Sequence, residues 1–206
     1  MTTTKIEIVK SGFSNVGSVL SAFSALESTN VSVISEASES KSPHLLILPG
    51  NGSFQAATLR LEESGIGDLA LERHSKNLPL LGICLGMQLF GETSEESPGA
   101  VGLGIIPGSS SILPNVSSVP HVGWEEVLWS TGPDQPHFDE EDFYFMHSYE
   151  FVPTNESAVL GRSQVGRELI CSSVMQGKTI GVQFHPEKSS RAGQRLLLGL
   201  QIWLNE

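Results

Sequence analysis

Leu80-Leu81-Gly82-Ile83-Cys84-Leu85-Gly86-Met87-Gln88 opens as a short apolar run and passes, through a thiol set between two glycines, into residues that can start a helix. Gly-x-Cys-x-Gly after a strand is the nucleophile-elbow pattern, with cysteine where serine stands in the hydrolases. The glycines permit a sharp turn and a close helix-to-strand approach, which leaves the nucleophile projecting above the sheet. The partial positive charge at the start of the following helix favours thiolate over thiol. A buried structural cysteine in a Gly-rich turn would display the same five residues, so the elbow needs support from elsewhere in the chain.

On both sides of the elbow, β-rich runs alternate with helix-period segments, the mark of an α/β domain with a largely parallel sheet. Lys5 to Val9 is the first strand; Asn15 caps a helix whose Val16, Val19, Leu20, Phe23 and Leu26 share one face. Val31 to Ile34 and Leu45 to Leu48 supply further strands, the second ending in Pro49-Gly50-Asn51-Gly52. After a short helix carrying Met87, Leu89 and Phe90, the stretch from Ala100 to about Gln135 is rich in Gly, Pro and Ser. It reads as hairpins or loops beside the main sheet, with little regular structure. Phe143 to Met146, Ile170 to Val174 and Ile180 to Gln183 are late strands. In the closing helix Leu196, Leu197, Leu200, Trp203 and Leu204 share one side while Arg195 and Gln201 face water.

A chain of 206 residues with 39% apolar content can bury one sizeable core, and no linker or repeat divides it, so residues 1–206 are expected to form a single domain. The net charge is -11 and the basic residues are scattered, which argues against binding to nucleic acid or an anionic membrane. No apolar run reaches the roughly 18 residues that span a bilayer, and the N-terminus lacks the plan of a secretory signal, so the expected location is cytoplasmic. The two cysteines, Cys84 and Cys171, are too few for a disulfide framework and are not spaced as zinc ligands.

A thiol nucleophile wants a neutral imidazole to take its proton, and the imidazole wants a carboxylate to hold it. Gly181-Val182-Gln183-Phe184-His185-Pro186-Glu187 can supply both groups from one strand end, where open α/β sheets bind ligands. His44, His74 and His137 lie in polar or turn-like contexts and read as surface residues. The Gly-rich turn at Pro49 to Gly52 can offer a backbone N–H to an oxyanion, with the Leu85 amide as the second donor. It lacks the continuation of a phosphate-binding loop.

With these pieces in place the sequence resembles the class I (triad) glutamine amidotransferases, and within that class the glutaminase subunits of imidazole glycerol phosphate synthases. The resemblance runs over nearly the whole chain. It is carried by Ser14-Asn15-Val16 with Ser18, Leu48 to Gly52, Gly82 to Gln88, Pro120-His121-Val122-Gly123-Trp124, Phe145-Met146-His147-Ser148-Tyr149 and Gly181 to Ser189. It implies a single-domain, flavodoxin-like α/β fold, a mostly parallel central sheet flanked by helices. Cys84 would attack the side-chain amide of L-glutamine, with His185 moving protons and Glu187 orienting it.

The oxyanion would be held by the amides of Asn51 and Leu85. Gly52, Gln88, His147, Ser148 and Tyr149 would bind the substrate. Asn15, Pro120, His121, Gly123, Trp124 and Lys188 would face a (β/α)8-barrel synthase subunit in a one-to-one heterodimer that receives the ammonia. No metal or organic cofactor is implied. Lys10-Ser11-Gly12-Phe13, Asn51 and Glu125 depart from the usual pattern, where the family has Asp with an aromatic residue and Gly, a small apolar residue, and Asn. The departures leave open a related synthase, such as one amidating a surface sugar; a stand-alone cysteine hydrolase of the same fold is the further alternative.

Overall fold

In the computed structural model of the chain, residues 3–10, 15–114, 119–132 and 135–205 are described. Ser11-Gly12-Phe13 and Ser14, quoted above for the N-terminal loop, lie outside them. The strands are Thr4–Val9 (β1), Thr29–Ile34 (β2), Leu45–Gly50 (β3), Leu80–Cys84 (β4), Thr93–Ser94 (β5), Gly108–Ile112 (β6), His121–Glu126 (β7), Leu128–Trp129 (β8), Asp142–His147 (β9), Tyr149–Pro153 (β10), Val159–Val165 (β11), Glu168–Gln176 (β12) and Thr179–Val182 (β13). The helices are Val16–Ser24 (α1), Phe54–Glu63 (α2), Ile66–Ser75 (α3), Leu85–Gln88 (α4) and Ser190–Trp203 (α5). None of the described helices is long and apolar enough to cross a membrane.

The central sheet has eight strands in the order β2-β1-β3-β4-β13-β12-β11-β8. Its first five strands run parallel, and the last three pairings are antiparallel. Every residue of β3, β4 and β13 is buried, as expected for strands covered on both faces. Side-chain alternation divides their apolar atoms between two cores. Leu45 and Ile47 turn toward Val19 and Phe23 of α1 and Leu196, Leu197 and Leu200 of α5. Leu46 and Leu48 turn the other way, onto Phe54, Leu61, Ile66 and Ala70 of α2 and α3.

The segment from Ala100 to Gln135 is more regular than its composition suggests. β6 joins β5 and β10 in a small sheet, β7 pairs with β9 in a two-stranded ribbon, and β8 closes one edge of the main sheet. The first two of these pairings lie beside the main sheet, as anticipated. His74 also differs from its surface reading, since its Nδ1 lies 2.9 Å from Thr179 Oγ1.

The elbow is closely packed. A Cβ on Gly86 would lie 1.8 Å from the Leu48 carbonyl oxygen, and one on Gly82 would lie 2.6 Å from the Gly86 carbonyl oxygen. Neither neighbour is a side chain that could swing aside. Gly86→Ala is therefore expected to force α4 off β3 and destabilise the chain by about 3 kcal/mol, as measured by urea unfolding. Wild-type stability in that variant would mean that the helix does not approach the strand so closely.

Candidate active site

Cys84 sits between two neighbouring parallel strands, with Gly50 of β3 beside it and Val182 of β13 paired with the preceding Ile83. Gln183, the first residue after β13, brings its Nε2 within 3.6 Å of the thiol. Cys84 has φ 54° and ψ -111°, a left-handed-side conformation that a non-glycine residue adopts only under constraint from its surroundings. The glycine-permitted contact of α4 with β3 supplies that constraint.

His185 follows β13 and is fixed at its main chain from two directions. Its N–H donates to the Tyr144 carbonyl at 2.8 Å. Its carbonyl accepts from Ser189 Oγ at 2.7 Å, and that same hydroxyl accepts the Tyr144 N–H at 2.9 Å. Ser189, wholly buried, thus ties the histidine to β9. At the ring, Nδ1 lies 2.9 Å from Glu187 Oε1, and both side chains are buried. The structure therefore brings Cys84, His185 and Glu187 together.

Burial lowers the His185 pKa, but interactions with Cys84 and Glu187 outweigh it and raise the value to about 9. The protonated ring stabilises the fold fully below the ordinary value of 6.5, and the contribution fades as pH rises through about 9. At neutral pH the ring thus holds a proton. Cys171 has no such setting. It is buried in β12, its Sγ donates to the Ser173 carbonyl at 3.5 Å, and burial pushes its pKa up to about 12. Of the two cysteines, Cys84 is the one beside an imidazole.

β3 ends against the elbow: a Cβ on Gly50 would meet Leu85 Cβ at 2.9 Å, so the turn carrying Asn51 and Gly52 begins beside the start of α4. Of the expected substrate-binding residues, several have groups already engaged. The Gln88 NH2 donates to the Tyr149 carbonyl at 2.9 Å and to Gln183 Oε1 at 3.0 Å. The Ser148 carbonyl accepts the Leu113 N–H at 3.0 Å. His147 Nδ1 donates to the Tyr149 carbonyl at 2.9 Å, and burial pulls the His147 pKa down to about 4, so this ring is neutral at ordinary pH.

Gln183, Ser189 and the Met146 carbonyl, 4.0 Å from Cys84 Sγ, were not singled out from the sequence. Gln183 and Ser189 stand within the segment read for its histidine and carboxylate. Nothing in composition says which neighbours their polar groups reach.

Of the residues expected at a partner surface, Asn15 and Lys188 border a cleft beside His185 and Glu187, while Pro120, His121, Gly123 and Trp124 stand on β7 or just before it. Asn15 caps α1 and is exposed, accepting the Ser18 N–H at 3.4 Å. Trp124 is half exposed, its ring 5.9 Å from that of Tyr144, over which Lys188 Nζ sits at 5.8 Å. His121 Nε2 is 3.4 Å from Glu125 Oε1, and burial raises the Glu125 pKa. Asn15, Asn51, Met146, His185, Glu187 and Lys188 border a cleft of only about 20 Å³. Larger grooves lie elsewhere, including one of 440 Å³ walled by α2, α3 and residues 99–103. Among the described residues no group of three or more His, Cys, Asp or Glu could hold a metal ion.

Glu187→Gln removes one of the two groups that raise the His185 pKa. Its ring titration, followed by NMR, is expected to move down from near 9 by about one unit or more; an unmoved midpoint would mean that the carboxylate does not act on the ring.

Residues 8–203 match the family described as glutamine amidotransferase class-I. The chain is 43% identical over 194 residues to imidazole glycerol phosphate synthase subunit HisH of Methanopyrus kandleri, covering 94% of this chain and 95% of that protein. The subunit of the same name from Thermotoga maritima is 39% identical over 153 residues, 74% of this chain and 73% of that one. Among solved structures, that of PurLQS from Thermotoga maritima matches with a TM-score of 0.78 at 16% identity, over 98% of this chain and 99% of that one. A crystal structure of a glutamine amidotransferase gives 0.76 at 18% identity, over 98% and 99%. With the elbow thiol, its imidazole and its carboxylate in one place, and with this likeness over nearly its whole length, the chain belongs to the class I glutamine amidotransferase family.

Proposed function

We propose that the chain is the glutaminase subunit of an imidazole glycerol phosphate synthase, serving histidine biosynthesis in the cytoplasm. It hydrolyses L-glutamine to glutamate and ammonia, and hands the ammonia to a (β/α)8-barrel synthase subunit in a one-to-one heterodimer. The observation that carries the chemistry is the meeting of Cys84, His185 and Glu187, groups separated by about a hundred positions in the chain. The relatives at 37 to 43% identity over more than nine-tenths of the chain, each an imidazole glycerol phosphate synthase subunit, support the choice of acceptor enzyme.

In this mechanism the Cys84 thiolate attacks the side-chain amide carbon of glutamine, forming an S–C bond and placing negative charge on the amide oxygen. The Asn51 and Leu85 amides stabilise that oxyanion. The C–N bond breaks as His185 gives its proton to the leaving nitrogen, which departs as ammonia. Water then adds to the thioester carbon; one of its protons passes through His185, the S–C bond breaks, and glutamate leaves. Glu187 keeps the ring oriented throughout. The amide oxygen of Gln88, the Gly52 turn and the His147-Ser148-Tyr149 backbone hold the rest of the substrate.

The partner surface is the ribbon of β7 and β9 with its neighbours Asn15 and Lys188. Val122, Trp124 and Met146 expose apolar side chains there, on the strands that adjoin the thiol and the imidazole. A contiguous apolar patch beside a reactive centre fits docking of a second chain. It would also keep bulk water from the ammonia as it leaves.

Cys84→Ser is expected to abolish glutamine-dependent synthesis in the assembled enzyme while synthesis from added ammonia persists; equal loss of both would count against the nucleophile. Cys171→Ser should lower glutaminase turnover by less than about threefold, since its thiol is bonded and inert. Trp124→Ala should weaken association with the synthase subunit by about 2 kcal/mol, measured by calorimetry, with KM for glutamine little changed. An unaltered association constant would displace the docking face from this ribbon.

A further inference from the structure

A main-chain carbonyl can accept a hydrogen bond and cannot donate one, and this fixes the direction of a chain of bonds that ends at the Cys84 sulfur. The Tyr149 carbonyl accepts from Gln88 Nε2 at 2.9 Å, so Gln88 must turn its NH2 group toward β10. The same NH2 group donates to Gln183 Oε1 at 3.0 Å. With its oxygen engaged on that side, Gln183 presents its own NH2 group on the other, and its Nε2 lies 3.6 Å from Cys84 Sγ. Turning the Gln88 amide over would set its oxygen against the Tyr149 oxygen. Turning only Gln183 over would set two NH2 groups against each other. Both side chains are buried, Gln183 completely, so water does not offer either amide an easy substitute partner. One backbone oxygen therefore dictates what the sulfur meets two amides away.

Three groups besides the substrate now bear on Sγ. The Met146 carbonyl, at 4.0 Å, can accept from the thiol. The Gln183 NH2 can donate to the sulfur, and the His185 ring lies beside it. We propose that Gln183 is a further catalytic residue of the glutaminase: its NH2 group donates to the Cys84 sulfur and selects the thiolate, while Gln88 is the positioning residue that keeps Gln183 turned that way. The proton lost by the thiol is carried by His185, and the electron pair it leaves on sulfur is the pair that attacks the amide carbon. The inference rests on the reading of Cys84 as nucleophile.

The test is alkylation of Cys84 by iodoacetamide on the full chain as a function of pH, with the Cys84 peptide separated from the Cys171 peptide by mass spectrometry. Gln183→Met keeps the length of the side chain and removes the donor. Alkylation at neutral pH is expected to slow about tenfold, with the pH profile displaced upward, and kcat to fall about tenfold while KM stays within about threefold. Gln88→Glu offers residue 183 only acceptors, so Gln183 turns its NH2 group away from sulfur and its oxygen toward it. Alkylation should again slow, although no atom in contact with sulfur has been removed. That second variant decides the matter if Gln183→Met does not fold, because a side chain that merely fills space would leave the pH profile unmoved. Unchanged alkylation profiles in the folded variants overturn the proposal even if turnover drops. Full glutaminase activity in Cys84→Ser would instead overturn the nucleophile itself, so the two failures are distinguishable.

Discussion

The contact between the start of α4 and the carbonyl end of β3 is the constraint on which the site depends. Two main chains approach so closely that Gly86 has no room for a single added carbon, the nearest atom being the Leu48 oxygen at 1.8 Å from where it would lie. This approach holds Cys84 at φ 54°, at the end of β4 beside β3 and β13. Residues of the His-Pro-Glu segment then need only continue from β13 to face it. Backbone strain of this kind costs on the order of 1–3 kcal/mol, and here the two cores on either side of the sheet offset it.

The parts of the fold that were legible in the sequence are those whose burial is nearly uniform. Leu45 to Leu48, Leu80 to Ile83 and Ile180 to Val182 are apolar runs because both faces of the parallel sheet are covered, and they lie where the strands were expected. α2 and α3 were not legible. On α2 only Phe54, Ala57 and Leu61 are buried, while Leu59 faces water. On α3 the buried face includes Gly67 and Arg73, whose guanidinium donates to the carbonyls of Pro79 and His44, while Leu71 is exposed. An apolar stripe interrupted by a buried cation and accompanied by exposed leucines carries little periodic signal. β11 was hidden for a related reason, since its Ser163 is buried and Arg162 points to an ion pair with Glu156.

The same distinction holds at the site. Cys84, His185 and Glu187 could be read because the chemistry of each residue type demands the others, and because glycines and a strand end mark their positions. Gln183 could not be read in that way. Its importance comes from the orientation of an amide, set by Gln88 across 95 positions and by a carbonyl on β10, and orientation is a property of the folded network. Ser189 is similar, a buried hydroxyl that joins His185 to β9 through one bond given and one received.

The edges of the central sheet bear on how the protein behaves at high concentration. Its terminal strands are β2 and β8. β8 is only Leu128–Trp129, too short to template another chain, and its Trp129 indole is tied to the Asp139 carbonyl at 3.0 Å. β2 interleaves Thr29, Asn30 and Ser32 with its valines, so its outer ladder lies among hydroxyl and amide groups. With a net charge of -11 opposing close approach of identical copies, uncontrolled growth of the sheet from molecule to molecule is disfavoured at both ends. The apolar ribbon beside the thiol can therefore remain open to a partner without the sheet itself becoming sticky.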